Sequence, residues 1–161
     1  MLIFEKDIKI SAVELCNFMS GFSNKISKNY VYDLLSETRN NIVLYSFDSS
    51  ELDMDNCPCS LIYSEDCIGD EKNIYIMFVA TKYKFRKLGY SSALMKEFIT
   101  FIKNKYSGAY KKINIVLDSL LEAVTFYEHV GFKWIVTDKY NEIFEIDESP
   151  NYEHFIMIYE L

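Results

Sequence analysis

The sequence predicts an α/β sandwich: a central mixed, mostly antiparallel sheet of six or seven strands flanked by about four helices. Three observations carry the prediction. Ile74-Tyr75-Ile76-Met77-Phe78-Val79-Ala80 is a continuous apolar run of strand length, rich in β-formers, the pattern of a central strand buried on both faces. After it Ala93, Leu94, Phe98, Phe101, Ile102 and Tyr106 recur at helical spacing and Ile113-Asn114-Ile115-Val116-Leu117 returns to strand, so strand, crossover helix and strand follow in order. Further strand-length runs on either side, joined by turns, add antiparallel strands to that unit.

From the N-terminus, Leu2-Ile3-Phe4 reads as a short opening strand. Val13, Cys16, Phe18 and Met19 place an approximately helical stripe on residues 11–21, and a second helix spans about Lys28 to Glu37. Ile42–Phe47 and Cys59–Tyr63 are strands separated by the polar, turn-rich stretch Asp48 to Asn56, and they pair as a hairpin. The central strand and its crossover unit follow. A short helix over about Leu121 to His129 ends at Gly131, where a helix C-terminal glycine takes positive φ without strain, and leads into a strand over Phe132 to Val136. Phe155 to Tyr159 closes the sheet.

A chain of 161 residues suits one domain, taken as 1–161. Half its residues are hydrophobic, with only 5 Gly and 2 Pro, which excludes a disordered composition. The formal net charge of −7 argues against nucleic-acid and anionic-membrane partners, because both are bound through broad positive fields. No apolar run reaches the ~20 residues of a transmembrane helix. Met1–Asp7 shows neither the apolar core nor the cleavage site of a signal peptide, so a cytoplasmic location is the expectation. Cys16, Cys57, Cys59 and Cys67 lack paired zinc spacing and read as reduced thiols, and no metal is expected. His129 and His154 read as surface or helix-end residues.

The chemistry lies between the central strand and its helix, in Thr81-Lys82-Tyr83-Lys84-Phe85-Arg86-Lys87-Leu88-Gly89-Tyr90-Ser91-Ser92. A strand turning tightly into a helix presents unpaired backbone N–H groups at the positive end of the helix dipole, a nest for phosphate oxygens. Lys82, Lys84, Arg86 and Lys87 add four positive charges within six residues of an acidic chain. The spacing fits neither a Walker loop nor a dinucleotide-binding turn, which disfavours a nucleoside triphosphate or NAD.

Arg86-x-x-Gly89-x-Ser91 resembles the [Q/R]-x-x-G-x-[G/A] signature of GNAT acetyltransferases, and Ala123-x-x-Phe126-Tyr127-x-x-x-Gly131-Phe132 resembles that family's second signature, in the right order. The resemblance implies the GNAT fold, acetyl-coenzyme A as co-substrate, and an amine-bearing small molecule or peptide as acceptor. It implies that Val79, Ala80 and Thr81 pair with the pantetheine arm like an added strand. It also implies that the Lys87, Leu88, Gly89, Tyr90, Ser91 and Ser92 amides, after Arg86, hold the pyrophosphate. Tyr127 matches the usual general acid, with Phe126 beside it at the coenzyme. A homodimer is the assembly the family suggests.

Three departures accompany the match. Ser91 stands where Gly or Ala is usual, Leu120 where Asn is frequent, and residues 74–81 contain no carboxylate to serve as the usual base. Glu71, Asp118 or a water chain remain as proton acceptors. Acidic groups at Glu51, Asp53 and Asp55, at Glu65, Asp66, Asp70 and Glu71, and at Glu142, Glu145, Asp147 and Glu148 are solubilising loops or attract a cationic amine. The long Asp138–Glu153 connection is assigned to the acceptor side. Two readings stay open: an N-acetyltransferase, or a coenzyme-binding or protein-interaction module with the same fold and no turnover.

Overall fold

A computed structural model describes residues 1–4, 16, 17, 19, 27–47, 56–144 and 153–161. In chain order these form β1 (Leu2–Phe4), α1 (Lys28–Ser36), β2 (Asn41–Tyr45), β3 (Cys59–Ile68), β4 (Glu71–Thr81), a 3₁₀ turn (Tyr83–Phe85), α2 (Tyr90–Tyr106), β5 (Lys112–Ser119), α3 (Leu121–Val130), β6 (Lys133–Trp134) and β7 (Phe155–Glu160). The helix expected over residues 11–21 and the Asp48–Asn56 turn lie largely outside the described residues.

The seven strands form one sheet in the order β1-β2-β3-β4-β5-β7-β6. Only β4 and β5 are parallel, as the crossover through α2 requires, and every other pair is antiparallel. The β2–β3 hairpin forms as the sequence predicts. β7, however, does not close the sheet: it inserts between β5 and β6, and the two-residue β6 is the edge. The expected strand from Phe132 to Val136 shortens because only Lys133 and Trp134 find partners on β7.

Side chains alternate across this sheet and divide the core in two. Leu61, Tyr63, Ile74, Ile76, Ile115 and Leu117 meet Leu94, Met95, Phe98 and Ile102 of α2 and Tyr127 of α3 on one face, hereafter the helix face. On the opposite face Ile42, Leu44, Ile62 and Phe78 pack on Val31 and Leu34 of α1 and on Cys16 and Met19. Tyr75, Val116, Ile156 and Ile158 are covered there by Tyr140, Ile143 and Phe144. α1 starts where the Ser27 side chain accepts the Asn29 amide at 3.2 Å. α3 ends where the Gly131 amide donates to the carbonyls of Tyr127 and Glu128 at a φ of 113°. A Cβ on Gly131 would lie 2.9 Å from the Tyr159 ring, so space as well as φ demands glycine there.

The hairpin joining β3 to β4 turns at Gly69-Asp70 and carries both strands well beyond the apolar segments the sequence marks. That extension anchors the C-terminal end of α2. Glu65 Oε2 lies 3.0 Å from Lys72 Nζ and its Oε1 2.8 Å from Lys105 Nζ, while the Tyr106 hydroxyl donates to the same carboxylate. Burial alone pushes the Glu65 carboxyl up, but its bonds from Lys105, Tyr106 and Lys72 outweigh burial and hold it below the ordinary carboxylate value. Burial pushes Lys72 down, and Glu65 overrides that and leaves it raised.

Glu65→Gln strands the buried Lys72 ammonium and is expected to cost about 3 kcal/mol near neutral pH. Because the folded-state pKa of Glu65 is depressed, the wild-type advantage is complete above the unfolded-state value. It is lost as pH falls through the folded-state value. Urea midpoints of wild type and variant therefore converge in acid; a gap that stays constant down to pH 3 contradicts the assignment.

Candidate active site

The site begins with an irregularity in β4. Ile62 pairs with Phe78 but Tyr63 pairs with Ile76, which leaves Met77 as an extra residue, a β-bulge. Consecutive residues Met77 and Phe78 consequently share the face away from α2, whereas Ile76 and Val79 point toward it. Pairing with β5 stops at the same place: Ile76 opposite Leu117 is the last parallel partner. Beyond it β4 stays paired with β3 through Thr81, and β5 keeps only its other neighbour, β7. The two central strands thus diverge, and the β5-facing edge of Met77–Thr81, roughly 17 Å long, has no strand against it. Val79, Ala80 and Thr81 all lie on this open edge.

At the far end of that edge the chain forms the predicted cradle. Lys87 has a φ of 63° and Gly89 a φ of 85°, two left-handed residues flanking Leu88. Backbone alternating in this way turns successive amides to one side, the geometry of an anion nest. Gly89 is the N-cap of α2 and no side chain caps the helix, so the amides of Tyr90, Ser91 and Ser92 face outward at the positive end of a 17-residue helix. Ser91 Oγ lies 2.5 Å from Thr81 Oγ1, a bond that ties the helix start to the strand end and occupies the hydroxyl of the departure residue. Arg86 Nε donates to the Thr81 carbonyl at 3.2 Å, and its guanidinium stacks 5.6 Å from the Tyr83 ring.

A support for this cradle escaped sequence reasoning. Phe47, Phe85 and Tyr90 form a three-ring cluster with centroids 4.9–5.7 Å apart, while the Lys82 amide donates to the Pro58 carbonyl. Rings contributed by the β2 end, the 3₁₀ turn and the first residue of α2 therefore fix the loop from three sides. No periodicity marks such a cluster, because each ring stands at or just beyond the end of an element.

Tyr127 sits on α3 within the helix-face core, 9% exposed, with Phe126 and Phe132 as ring neighbours at 5.0 and 5.8 Å. Burial pushes its phenol above the ordinary tyrosine value, so it remains protonated throughout the physiological range. Leu120 is the α3 N-cap, 68% exposed and offering no capping bond.

The remaining sequence candidates separate. Glu71 pairs with Lys139 at the start of β4, six residues and about 20 Å from the bulge, too far to serve the cleft. Asp70 is bridged to Lys111 and Glu65 is consumed by Lys72 and Lys105, so with Glu71 three of the four acids of this group are paired within the fold. Glu51, Asp53, Asp55, Glu145, Asp147 and Glu148 lie outside the described residues, as does half of the Asp138–Glu153 connection. Asp118, the first β5 residue past the parallel pairing, bonds His154 Nδ1 at 2.7 Å. His129 instead meets the Thr125 carbonyl on its own helix. No group of three metal-ligating side chains occurs among the described residues, and none of their helices is long and apolar enough to cross a membrane.

Comparison with known proteins agrees with this geometry. Residues 56–145 match the family model of the acetyltransferase (GNAT) domain. No curated protein matches the chain in sequence. A putative N-acetyltransferase from Lactobacillus plantarum superposes with a TM-score of 0.65 at 16% identity, covering 100% of this chain and 97% of that one. The ribosomal-protein-S18-alanine N-acetyltransferase from Escherichia coli gives 0.57 at 12%, covering 100% and 93%. Arabidopsis thaliana Naa50, in complex with the bisubstrate analogue CoA-Ac-MVNAL, gives 0.61 at 13%, covering 99% of each. Identities this low carry the fold alone.

The two left-handed residues yield a paired expectation. A Cβ at Gly89 meets nothing within 4 Å, so Gly89→Ala costs only its φ, about 1 kcal/mol, a fall in Tm of about 2–4 °C. Lys87→Gly relieves strain at φ 63° and leaves Tm level or higher while removing one charge. Equal losses from both substitutions in a thermal melt would contradict the backbone assignment.

Proposed function

Because the chain belongs to the GNAT acetyltransferase family, we propose that it transfers the acetyl group of acetyl-coenzyme A to a primary amine. The observation that carries the reading is the open edge of Met77–Thr81 leading into an uncapped, left-handed turn at the start of α2. An extended amide-bearing arm is matched by an unpaired strand edge, and a pyrophosphate by a nest followed by a helix N-terminus. The coenzyme supplies an activated thioester; the rest falls to the chain.

In this reading the main chain of Val79, Ala80 and Thr81 receives the pantetheine arm. Backbone N–H near Ala80 polarises the reacting carbonyl, a fixed dipole needing no reorganisation. The amides from Lys87 to Ser92 hold the pyrophosphate, with Arg86 and its neighbouring lysines supplying charge. Tyr127 faces the departing sulfur. An ordinary phenol is about 1.5 units less acidic than a thiol, so full proton transfer to a thiolate is uphill by about 2 kcal/mol, and burial raises that barrier. Tyr127 therefore acts as a hydrogen-bond donor that tightens as negative charge develops on sulfur. Phe126 closes the same wall.

The exposed, uncapping Leu120 favours a second reading, a module that binds the coenzyme without turnover. Two measurements separate them. Acetyl-coenzyme A at 100 times its Kd is expected to stabilise the chain by roughly 2.7 kcal/mol, several degrees in Tm; no shift at millimolar coenzyme ends both readings. Thiol release with spermidine, lysine, tyramine and a tetrapeptide bearing a free N-terminus then reports turnover, and silence with all four supports the module. Tyr127→Phe is expected to keep the thermal shift and lose roughly 10²-fold in rate. Since burial raises its pKa, Tyr127 contributes no limb to the pH–rate profile up to about pH 10.

A further inference from the structure

The parallel pairing of the central strands ends at Leu117, and the next residue, Asp118, stands where the cleft closes. Ile113, Ile115 and Leu117 point into the helix-face core and Val116 away from it, so Asp118 stands on the face opposite α2 and α3. Both of its oxygens are engaged. Oδ1 accepts the Phe155 amide at 3.0 Å and Oδ2 meets His154 Nδ1 at 2.7 Å, the length of a charge-assisted bond. A carboxylate at Nδ1 keeps the proton on that nitrogen and leaves the lone pair on Nε2. No described residue bonds Nε2, and the His154 and Asp118 side chains are 29% and 23% exposed: held in place, yet reachable.

The direction of the cleft places the reaction beside this pair. An arm whose pyrophosphate end rests at Lys87–Ser92 and which runs along the open edge from Thr81 toward Met77 brings its reactive end to the closed apex. Tyr127 lies on the helix face of the sheet and Asp118 on the other. A leaving sulfur stabilised from one side and an amine arriving from the other are thereby kept apart. β4 offers no carboxylate between Ile74 and Thr81, and Glu71 is bound to Lys139 at the distant end of that strand.

We infer that His154 is the catalytic base, with Asp118 as its positioning residue, an assignment that rests on the acetyl-transfer reading. Nε2 takes one proton from the substrate ammonium, which frees the nitrogen lone pair. The N–C bond then forms as the C–S bond breaks, the second nitrogen proton passes to sulfur, and the imidazolium returns its proton to water. The histidine is neither a surface bystander nor a helix-end residue. Its partner lies 36 positions upstream, joined to it through the β5–β7 pairing.

The test uses the whole chain and its two histidines, with His129 as internal control. Diethyl pyrocarbonate modification followed by peptide mass spectrometry is expected to show acetyl-coenzyme A slowing the reaction at His154 severalfold and leaving His129 unchanged. Equal reactivity at His154 with and without coenzyme overturns the placement. His154→Gln and Asp118→Asn are expected to keep the wild-type thermal shift with acetyl-coenzyme A. Thiol release with the four amines falls roughly 10²-fold in His154→Gln. Hydroxylamine, a weak base already neutral near pH 7, needs no proton removed before attack, so its turnover is expected to stay within a few-fold of wild type. Unchanged amine turnover, or equal losses with amines and hydroxylamine, overturns the assignment. A wild-type chain that binds acetyl-coenzyme A yet releases thiol with no amine overturns the acetyl-transfer reading itself.

Discussion

A single extra residue organises this molecule. Met77 has no partner on β3, and the bulge it forms reverses the side-chain parity of β4 halfway along its length. Without it Val79 and Thr81 would point away from α2, and the Thr81–Ser91 bond that seats the helix could not form. The same kink coincides with the end of β4–β5 pairing, so a buried strand in the middle of a sheet acquires a free edge. Exposed edges are ordinarily covered or blunted in folded proteins, and one left open in the sheet interior is a binding surface by construction.

Helix α2 is then held at both ends by unlike means. Its N-terminus is fixed by Ser91 on Thr81 and by the Phe47, Phe85 and Tyr90 rings, which leaves its amides uncapped for an anion. Its C-terminus is clamped by Lys105 and Tyr106 on Glu65, with Lys72 completing the buried group. Between the clamps Leu94, Met95, Phe98 and Ile102 fill the core. A helix fixed in this way does not need to be ordered when a phosphate arrives, which lowers the entropic cost of binding.

The parts of this arrangement that were legible in the sequence are those written locally. The apolar run from Ile74 to Ala80, the helical spacing from Ala93 to Tyr106 and the Arg86-x-x-Gly89 turn each signal themselves within a few residues. The β3–β4 extension is masked by the polar Ser64–Asp66 and Glu71–Asn73, although Gly69-Asp70 between them is a two-residue hairpin signal. Sequence order does not give sheet order here: β7 follows β6 in the chain yet lies inside it, and β6 is too short to hold the interior position. The bulge leaves no mark in a run of seven apolar residues, since both faces there are buried. The Asp118–His154 pair is invisible for a different reason: neither residue stands in a motif, and only strand pairing joins them.

Trp134, the single tryptophan of the chain, lies on the edge strand β6, more than half exposed, with its ring 6.0 Å from that of Phe155. The amide of Phe155 is in turn bonded to Asp118. Indole emission responds to the polarity and charge beside the ring, and Trp134 pairs with Met157 of the helix-face core, so the protein carries its own optical reporter on the helix face at the edge of the sheet. With no second indole to mask the signal, a change in packing at that edge becomes a fluorescence change readable in dilute solution without a label.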